Sequence, residues 1–466
     1  MDLQADVCVV GGGPAGAALA GRLAALGQDI VLLEAEQFPR PHIGESLPPG
    51  MGPLFDALGI RAEVEAAGFL RPWEAVVRWA GEVRRRGEGL GEPGFQVDRG
   101  IFDHILLRAA VRAGVHLLQP ARALTPRRQE PGLWIIPVRG EGPEQVRARF
   151  LVDACGRRGL VGKRKRRLIP ATVALYGYWK GTRLTGPETR VEAGPEQWYW
   201  GAPLPDGTFN ATVFVSPGRL RLADSVESVY CSLLAESELL AGCLSGQLTS
   251  SIRVCAAAMA VDDAPVGEDW LAVGESALAL DPLSSQGVRS AIVSGLQGAA
   301  VIHTCLTAPE HRQVARQFAQ DRHAESVRQH TKFAASFYQE QKEHHPTPFW
   351  VDRSAMAPHG PSRPRARAEL SLTSADRVVV SPEARFVLVP ALCGDLIRPV
   401  RAVVAPGSDR PAAFVGDIPV AFLIEQLAGV WSVGDILKAW SPIHAPRQAA
   451  SLLLWAMQEG VIVRAG

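Results

Sequence analysis

The sequence has no Cys-x-x-Cys pair: its seven cysteines, Cys8, Cys155, Cys231, Cys243, Cys255, Cys305 and Cys393, are scattered. Neither a disulfide framework nor a zinc site is suggested, and the compartment reads as reducing. Charge imbalance is lacking too. The formal net charge is +1, which gives no long-range pull toward nucleic acid or an acidic membrane surface. No apolar run approaches a membrane span, and strand-like residues begin too close to Met1 to leave room for a signal peptide. The expected location is therefore cytoplasmic, with neither nucleic acid nor membrane as partner. No internal repeat of useful period is present, no metal site is expected, and His344-His345 reads as linker rather than as metal ligands. At 466 residues the chain is long enough for two or three domains with sizeable cores.

What the sequence does hold begins at its first strand. Val7-Cys8-Val9-Val10 runs into Gly11-Gly12-Gly13-Pro14-Ala15-Gly16, a helical stretch, and then Ile30-Val31-Leu32-Leu33-Glu34. Strand, glycine turn, helix and a second strand ending in an acid form the order that a dinucleotide site requires. Gly11 allows the tight turn, Gly13 lets backbone approach a pyrophosphate, and Gly16 lets helix and strand pack closely. The helix start at Pro14 and Ala15 offers free N–H groups to phosphate, and Glu34 stands where a carboxylate accepts both ribose hydroxyls of an adenosine.

Residues 1–170 alternate strand-like and helix-like segments, with Arg99 to Ala113 at helical spacing and Phe150 to Gly156 as a buried strand and small-residue turn. Over 171–260 the segments become rich in Trp, Tyr, Thr and Val, which suggests an inserted antiparallel sheet facing substrate. Residues 261–345 return to the alternation of the first 170, with Trp270 to Ser276 as strand and turn and Gly287 to about Thr307 as an apolar helix. A Pro, Arg, Gly and His-rich stretch over 346–370 reads as a linker. Residues 371–466 form a separate module, with short helices expected at Ala421 to Leu427, Val433 to Ala439 and Ala449 to Gly460 and a strand at Gly460 to Val463, which together suggest a winged-helix-like fold.

Further segments are more specific. Gly44-Glu45-Ser46-Leu47-Pro48-Pro49 follows Arg40; Val97-Asp98-Arg99 opens a helix containing Phe102, Asp103 and Leu106; and Gly274-Glu275-Ser276 leads into Asp281-Pro282-Leu283-Ser284-Ser285-Gln286-Gly287. On these motifs residues 1–340 resemble the FAD-dependent monooxygenase and halogenase superfamily. The resemblance implies an α/β fold: a Rossmann-type FAD-binding domain (glutathione reductase-like, of the class A monooxygenase type), an inserted antiparallel β-sheet substrate subdomain, and here a small C-terminal α+β module. It also implies an enzyme whose motifs surround one flavin. Asp281, Pro282, Ser285, Gln286 and Gly287 then offer backbone donors to a reduced flavin, as a helix N-terminus does to any anion. Arg99 and Arg40 can contact the pyrophosphate or ribityl chain; surface charges are the alternative for the arginines and a helix cap for Asp281. Glu275 stands where the family has aspartate against the ribityl hydroxyls. Glu45 and Ser46 fall beside the isoalloxazine by analogy, with Glu45 a possible acid or base or a capping carboxylate.

Trp198-Tyr199-Trp200-Gly201-Ala202-Pro203 is similar to the halogenases' Trp-x-Trp-x-Ile-Pro, with Ala202 in place of Ile. Trp198 and Trp200 form either a wall beside the flavin or the aromatic core of a sheet. Aligning Gly68-Phe69-Leu70-Arg71-Pro72-Trp73 on the segment that carries the halogenases' essential lysine puts Pro72 at the lysine. Proline has no donor, and Arg71 beside it stays charged and cannot give up a proton. The resemblance therefore implies oxygen insertion by a flavin C4a-hydroperoxide, with dioxygen as co-substrate and NAD(P)H or a partner reductase supplying electrons, since no second nucleotide fingerprint exists.

The missing lysine, the Gly-Glu-Ser-Leu-Pro-Pro and Trp-Tyr-Trp-Gly-Ala-Pro motifs and the added module together resemble the flavoprotein monooxygenases of tryptophylquinone biogenesis, as in quinohemoprotein amine dehydrogenase maturation. That implies hydroxylation of a tryptophan within a peptide or protein docked through the C-terminal module. The alternatives are a hydroxylase or halogenase of a small or carrier-tethered aromatic metabolite, and a non-catalytic flavoprotein binding module. Arg157, Arg158, Lys163, Arg164, Lys165, Arg166 and Arg167 read as solvated surface, or else as a loop steering a nicotinamide phosphate or an acidic partner. Cys155 reads as a small packing residue.

Overall fold

The computed structural model describes residues 2–87, 91–140, 142–161, 165–221, 225–355, 372–406, 408, 410–443 and 445–465. Contacts divide the chain into two units, Met1–His303 with Ala319–Pro358, and Thr304–Phe318 with His359–Gly466.

The first unit is built on the strand Asp2–Val10, whose last four residues are fully buried. It pairs in parallel with Ile30–Leu33 on one side and Gln145–Asp153 on the other. His116–Leu118 and Trp270–Ala272 extend the parallel sheet outward, and Leu133–Gly140 joins it antiparallel, with Ala121–Ala123 and Arg127–Glu130 beyond it. Apolar runs such as Ile30–Leu33, buried at every position, are what a sheet covered on both faces demands. This is the Rossmann-type α/β fold expected.

Helix Gly287–Thr307 lies close against helix Pro14–Ala25, because Gly295 and Gly298 leave no side chain between them. A Cβ at Gly295 would lie 2.4 Å from the Ala15 carbonyl oxygen, and one at Gly298 would lie 3.0 Å from Leu19. By length and composition this one helix among the described residues could cross a membrane, contrary to the expectation that no apolar run comes near. Its first turns are instead spent on packing in the dinucleotide-binding core, with Val288 and Ile292 buried there.

The second sheet of this unit runs Gln247–Leu248, Val173–Lys180, Phe209–Val215, Gln197–Pro203, Thr189–Ala193, Ala75–Trp79, Glu82–Arg86, with Arg253–Ala256 also on Val173–Lys180. All pairs are antiparallel except Thr189–Ala193 with Ala75–Trp79, which is parallel. The last two strands come from the stretch the sequence assigns to the dinucleotide domain. Glu82–Arg86 is almost wholly exposed, so it carries no buried alternation to mark it. Strand alternation sends Leu175, Trp179, Tyr199, Val213 and Val215 to one face, under helix Val226–Ala235. The opposite face builds the candidate site.

Residues read as linker include a helix, Pro348–Ser354, with Phe349, Trp350 and Arg353 buried. Its aromatic pair is the anchoring signal that the surrounding Pro and Arg obscure. Residues 356–371 lie outside the described set.

In the second unit helices Val420–Glu425, Val433–Trp440 and Pro446–Gln458 and strand Ile462–Arg464 pack around Leu423, Ile436, Trp440 and Leu452. Ser432 caps the middle helix by accepting from Asp435 N at 3.0 Å. A long hairpin, Arg385–Cys393 with Leu396–Val404, turns at Gly394 with φ +60°.

Candidate active site

At the dinucleotide turn the glycines are there for space. Gly11 has φ +107°, and a Cβ on it would stand 2.3 Å from the Ala154 carbonyl; a Cβ on Gly16 would stand 1.9 Å from the Gly11 carbonyl. Helix Pro14–Ala25 starts from Gly13 with no side-chain cap, so its first N–H groups face outward as an anion site does. A Cβ on Gly13 would meet only Arg40 Nη2, at 3.8 Å. That guanidinium is therefore beside the uncapped helix end, where a pyrophosphate would lie. Glu34, 6% exposed, accepts from Gly12 N at 2.7 Å and Glu36 N at 2.8 Å, which fixes its carboxylate beside the glycine turn. An open cradle, an uncapped helix and a positioned acid fit the adenosine and pyrophosphate of FAD.

The second element is the loop that carries Glu45 and Ser46. Arg99 holds it: Nε and Nη2 donate to the two oxygens of Asp103, each at 2.9 Å, while Nη1 donates to the carbonyl of Ile43 at 2.6 Å and that of Gly44 at 3.3 Å. Burial opposes the Arg99 charge, but the carboxylate of Asp103 outweighs it and keeps the guanidinium above its ordinary pKa. With this many partners Arg99 acts as a clamp on the loop.

Clamping aims Glu45 at the second sheet. Its Oε1 accepts from Tyr178 Oη and Asn210 Nδ2, both at 2.9 Å, and its Oε2 from Gly44 N at 2.8 Å. Burial raises its pKa, against the pull of those donors. Ser46 faces the other way, toward Gln96 Nε2 at 3.1 Å; Gln96 Nε2 also donates to Thr189 Oγ1 at 2.5 Å.

The third element is the segment before helix Gly287–Thr307. Asp281 caps the turn Pro282–Ser284 by accepting from Leu283 N at 3.0 Å, and Ser285 follows in the left-handed region at φ 50°, a conformation costing about 1–2 kcal/mol for a residue with a Cβ. Gln286 N reaches Ser284 Oγ at 3.3 Å and Gly287 starts the helix. The other Asp281 oxygen accepts from Tyr338 Oη at 2.6 Å. Asp281 is buried, which raises its pKa; Arg353 nearby pulls the other way.

A carboxyl whose folded pKa is raised favours its protonated form, so its stability contribution falls as pH rises through that value. Asp281→Asn keeps an acceptor for Leu283 N and can donate to the Tyr338 oxygen. The variant's melting temperature relative to wild type is therefore expected to climb as pH rises from the ordinary carboxylate range toward neutrality. A flat or falling difference contradicts this.

Between the two anchored ends lies one face of the second sheet, whose order follows from register. Tyr178, Asn210 and Ala202 form one cross-strand row; Tyr176, Thr212, Trp200 and Val191 the next; Ala174, Phe214, Trp198 and Ala193 the third. Glu45 lands on the first row. Tyr338, Phe349, Trp350 and Leu283 belong to the aromatic cluster over the third. Trp198 is 1% exposed and stacks on Phe214 with centroids 3.6 Å apart, so it sits in the sheet's aromatic core. Trp200, in the middle row, is in the same cluster. The middle row runs between the carboxyl of Glu45 and the Asp281 turn.

Glu275 pairs with Arg157 at 3.1 Å. Arg157 also donates to the Ala258 carbonyl at 2.8 Å, and Lys165 Nζ to the carbonyls of Gly156, Arg157 and Glu275 at 2.9, 2.8 and 2.6 Å. These two cations of the basic loop thus stitch backbone together instead of sitting in solvent; Arg158, Arg166 and Arg167 are exposed, and Lys163 and Arg164 lie outside the described residues. Asp103 was the one missed partner with a local signal, four residues beyond Arg99. Tyr178, Asn210, Gln96, Thr189 and Tyr338 meet these partners only through long-range folding.

The tryptophan halogenase family model matches residues 6–89 and 79–377 of the chain. Tryptophan 2-halogenase of Chondromyces crocatus is 33% identical over 359 residues, 72% of this chain and 67% of that protein. Among solved structures, the flavin-dependent halogenase CmlS superposes with a TM-score of 0.82 at 20% identity, covering 98% of this chain and 96% of its own. The peptidyl tryptophan dihydroxylase QhpG, essential for tryptophylquinone cofactor biogenesis, superposes with a TM-score of 0.73 at 24% identity, covering 98% and 99%. At these identities the two structures speak for the fold alone. The uncapped glycine turn, the loop clamped by Arg99 and the Asp281 turn lie inside the matched region, and the chain belongs to the tryptophan halogenase family of FAD-dependent oxidoreductases.

Proposed function

We propose that the chain is an FAD-dependent monooxygenase that hydroxylates the ring of a tryptophan held in a peptide or protein, taking electrons from NAD(P)H or a reductase and oxygen from dioxygen. The observation that carries this reading is the missing ammonium. Pro72 is buried at the position aligned with the halogenases' lysine, and the sequence has no lysine at all before Lys163. Of the described lysines in the first unit, Lys165 is spent on three carbonyls, Lys180 and Lys332 are exposed, and Lys342 reaches Gln339 at 3.4 Å on its own helix. Arg71 lies over the Phe95 ring at 3.9 Å, as a planar guanidinium rather than a compact ammonium. Similarity to QhpG over nearly the whole chain supports a macromolecular substrate, with the C-terminal unit as its docking platform.

FAD, once bound and reduced, supplies the oxidising power with dioxygen. The residues of the chain supply the rest. Arg40 and the helix start at Pro14 would hold phosphate, the Trp200, Thr212 and Tyr176 row shapes a mostly apolar floor, and Glu45 places a buried carboxyl beside it, with burial raising its pKa. A second reading, halogenation of an indole, is favoured by the 33% identity to a tryptophan 2-halogenase. Aerobic turnover of a tryptophan peptide with bromide and chloride present separates the two. The proposal expects products carrying added oxygen without halogen; a brominated or chlorinated product overturns it.

A further inference from the structure

The middle row of the second sheet ends in an arginine on each side. Val77 continues it beyond Val191 and Arg84 closes that end, while Arg253 stands opposite Tyr176 and closes the other. Directly opposed residues in a sheet project to one face, so both side chains lie on the face that builds the site. The two ends differ in charge balance. Arg84 is matched on the spot, 2.8 Å from both Glu82 and Glu340. Arg253 is exposed, and no carboxylate among the described residues pairs with it.

That sets it apart within its own sheet. Arg78 pairs with Glu238 at 2.6 Å, Arg85 with Glu74 at 2.8 Å and Arg190 with Glu188 at 3.1 Å, and Arg86 lies over the Phe337 ring. The strand that carries Arg253, Arg253–Ala256, is an edge, since it pairs with Val173–Lys180 alone. The Tyr176 phenol beside the guanidinium is 8% exposed; burial raises its pKa and the Arg253 charge opposes that, so the phenol stays neutral and leaves the charge uncompensated. Glu45, one row away, already accepts from Tyr178, Asn210 and Gly44 N. An unmatched cation therefore stands at the open end of the row that runs through Thr212 to Trp200. Neighbouring strands lie about 4.8 Å apart, so the Arg253 backbone is about 14 Å from that of Trp200, a span that an extended peptide covers in about four residues.

We propose that Arg253 is a specificity-determining residue that pairs with a carboxylate of the substrate close to the reacting tryptophan. This rests on the reading of the chain as acting on tryptophan, and it adds the charge that the substrate must bring. A planar guanidinium takes a carboxylate through two parallel N–H donors, so it selects geometry as well as sign. In a peptide the carboxylate is an aspartate or glutamate within about four residues of the ring. In the free amino acid it is the α-carboxylate.

The test measures Kd in the FAD-loaded protein, and KM and kcat for oxygen insertion, with short tryptophan peptides that carry glutamate, glutamine or lysine at a scanned position. A second arm compares free tryptophan with its amide. Wild type is expected to prefer the glutamate peptide over the glutamine one by about 5-fold or more, in Kd and KM rather than in kcat, and the preference should shrink as salt is raised. Arg253→Gln should lose that preference, and Arg253→Glu should reverse it in favour of lysine, which a merely structural role would not produce. Arg253→Lys keeps the charge, should retain part of the preference, and covers the case in which the other variants fail to fold. A preference for free tryptophan over its amide that Arg253→Gln abolishes, with the peptides treated alike, supports the pairing and assigns the carboxylate to the amino acid; the peptide substrate proposed above then falls. Equal treatment within both arms by wild type overturns the proposal, as does a preference that survives in Arg253→Gln, or failure to bind any of these probes. Discrimination in binding without oxygen insertion would leave this inference standing and remove the proposed reaction.

Discussion

Gly16→Ala is expected to remove FAD binding. The new Cβ would stand 1.9 Å from the Gly11 carbonyl oxygen and 3.1 Å from the Ala154 Cβ. Gly11 cannot yield, since it is itself pressed against the Ala154 carbonyl in a left-handed conformation. Helix Pro14–Ala25 must then swing off the strand Asp2–Val10, at about 1–3 kcal/mol or more, and the phosphate site at its N-terminus goes with it. Quenching of flavin fluorescence on titration should show affinity lower by at least about 100-fold, the equivalent of about 2.7 kcal/mol.

Gly13→Ala is the informative companion. With only Arg40 Nη2 near the added carbon, at 3.8 Å, the apoprotein should melt close to wild type while FAD affinity falls, because the methyl group occupies the approach to the phosphates. Gly13→Ala binding FAD like wild type would mean that the pyrophosphate does not lie at this helix end.

Arg99→Met is expected to be the most destabilising single change in the loop system. It leaves Asp103, at 0% exposure, without its bidentate partner and frees the Ile43 and Gly44 carbonyls. Breaking a buried ion pair from one side costs about 3–5 kcal/mol, a large part of the roughly 5–15 kcal/mol that holds a domain folded. Arg99→Met with Asp103→Leu removes both charges and should recover most of the loss in urea unfolding, without restoring activity, since nothing then aims Glu45 at Tyr178 and Asn210. A double variant as unstable as the single one would place the cost in the carbonyl contacts instead of the ion pair.

The dinucleotide half was legible because its signals are local. A glycine turn, an uncapped helix and an acid ending the next strand all fall within Val7 to Glu34, and each has one steric or electrostatic reason to be there. The C-terminal helices were legible too, as three short segments of their own. The long hairpin Arg385–Cys393 with Leu396–Val404 was not, since its prolines at 390 and 399 break the pattern that marks a strand.

The site itself was harder to read. Glu45, Ser46 and Asp281 stood out by motif, but what each does is decided by partners more than fifty residues away, such as Tyr178, Asn210 and Tyr338. Arg99 shows the limit most clearly. Its motif singled it out, but that it clamps the Glu45 loop is visible only from its partners in the fold. Lys165, one cation in a dense basic run, likewise turns inward to three carbonyls because the turns at Gly156–Arg158 and Gly274–Ser276 happen to meet there.

The most direct measurement is a single turnover. FAD-loaded protein is reduced without air, mixed with a tryptophan peptide in bromide buffer, and exposed to isotope-labelled dioxygen before mass spectrometry of the peptide. The account predicts heavy oxygen on the tryptophan ring and no bromine. A brominated indole, or a ring that gains oxygen only from unlabelled water, would contradict it.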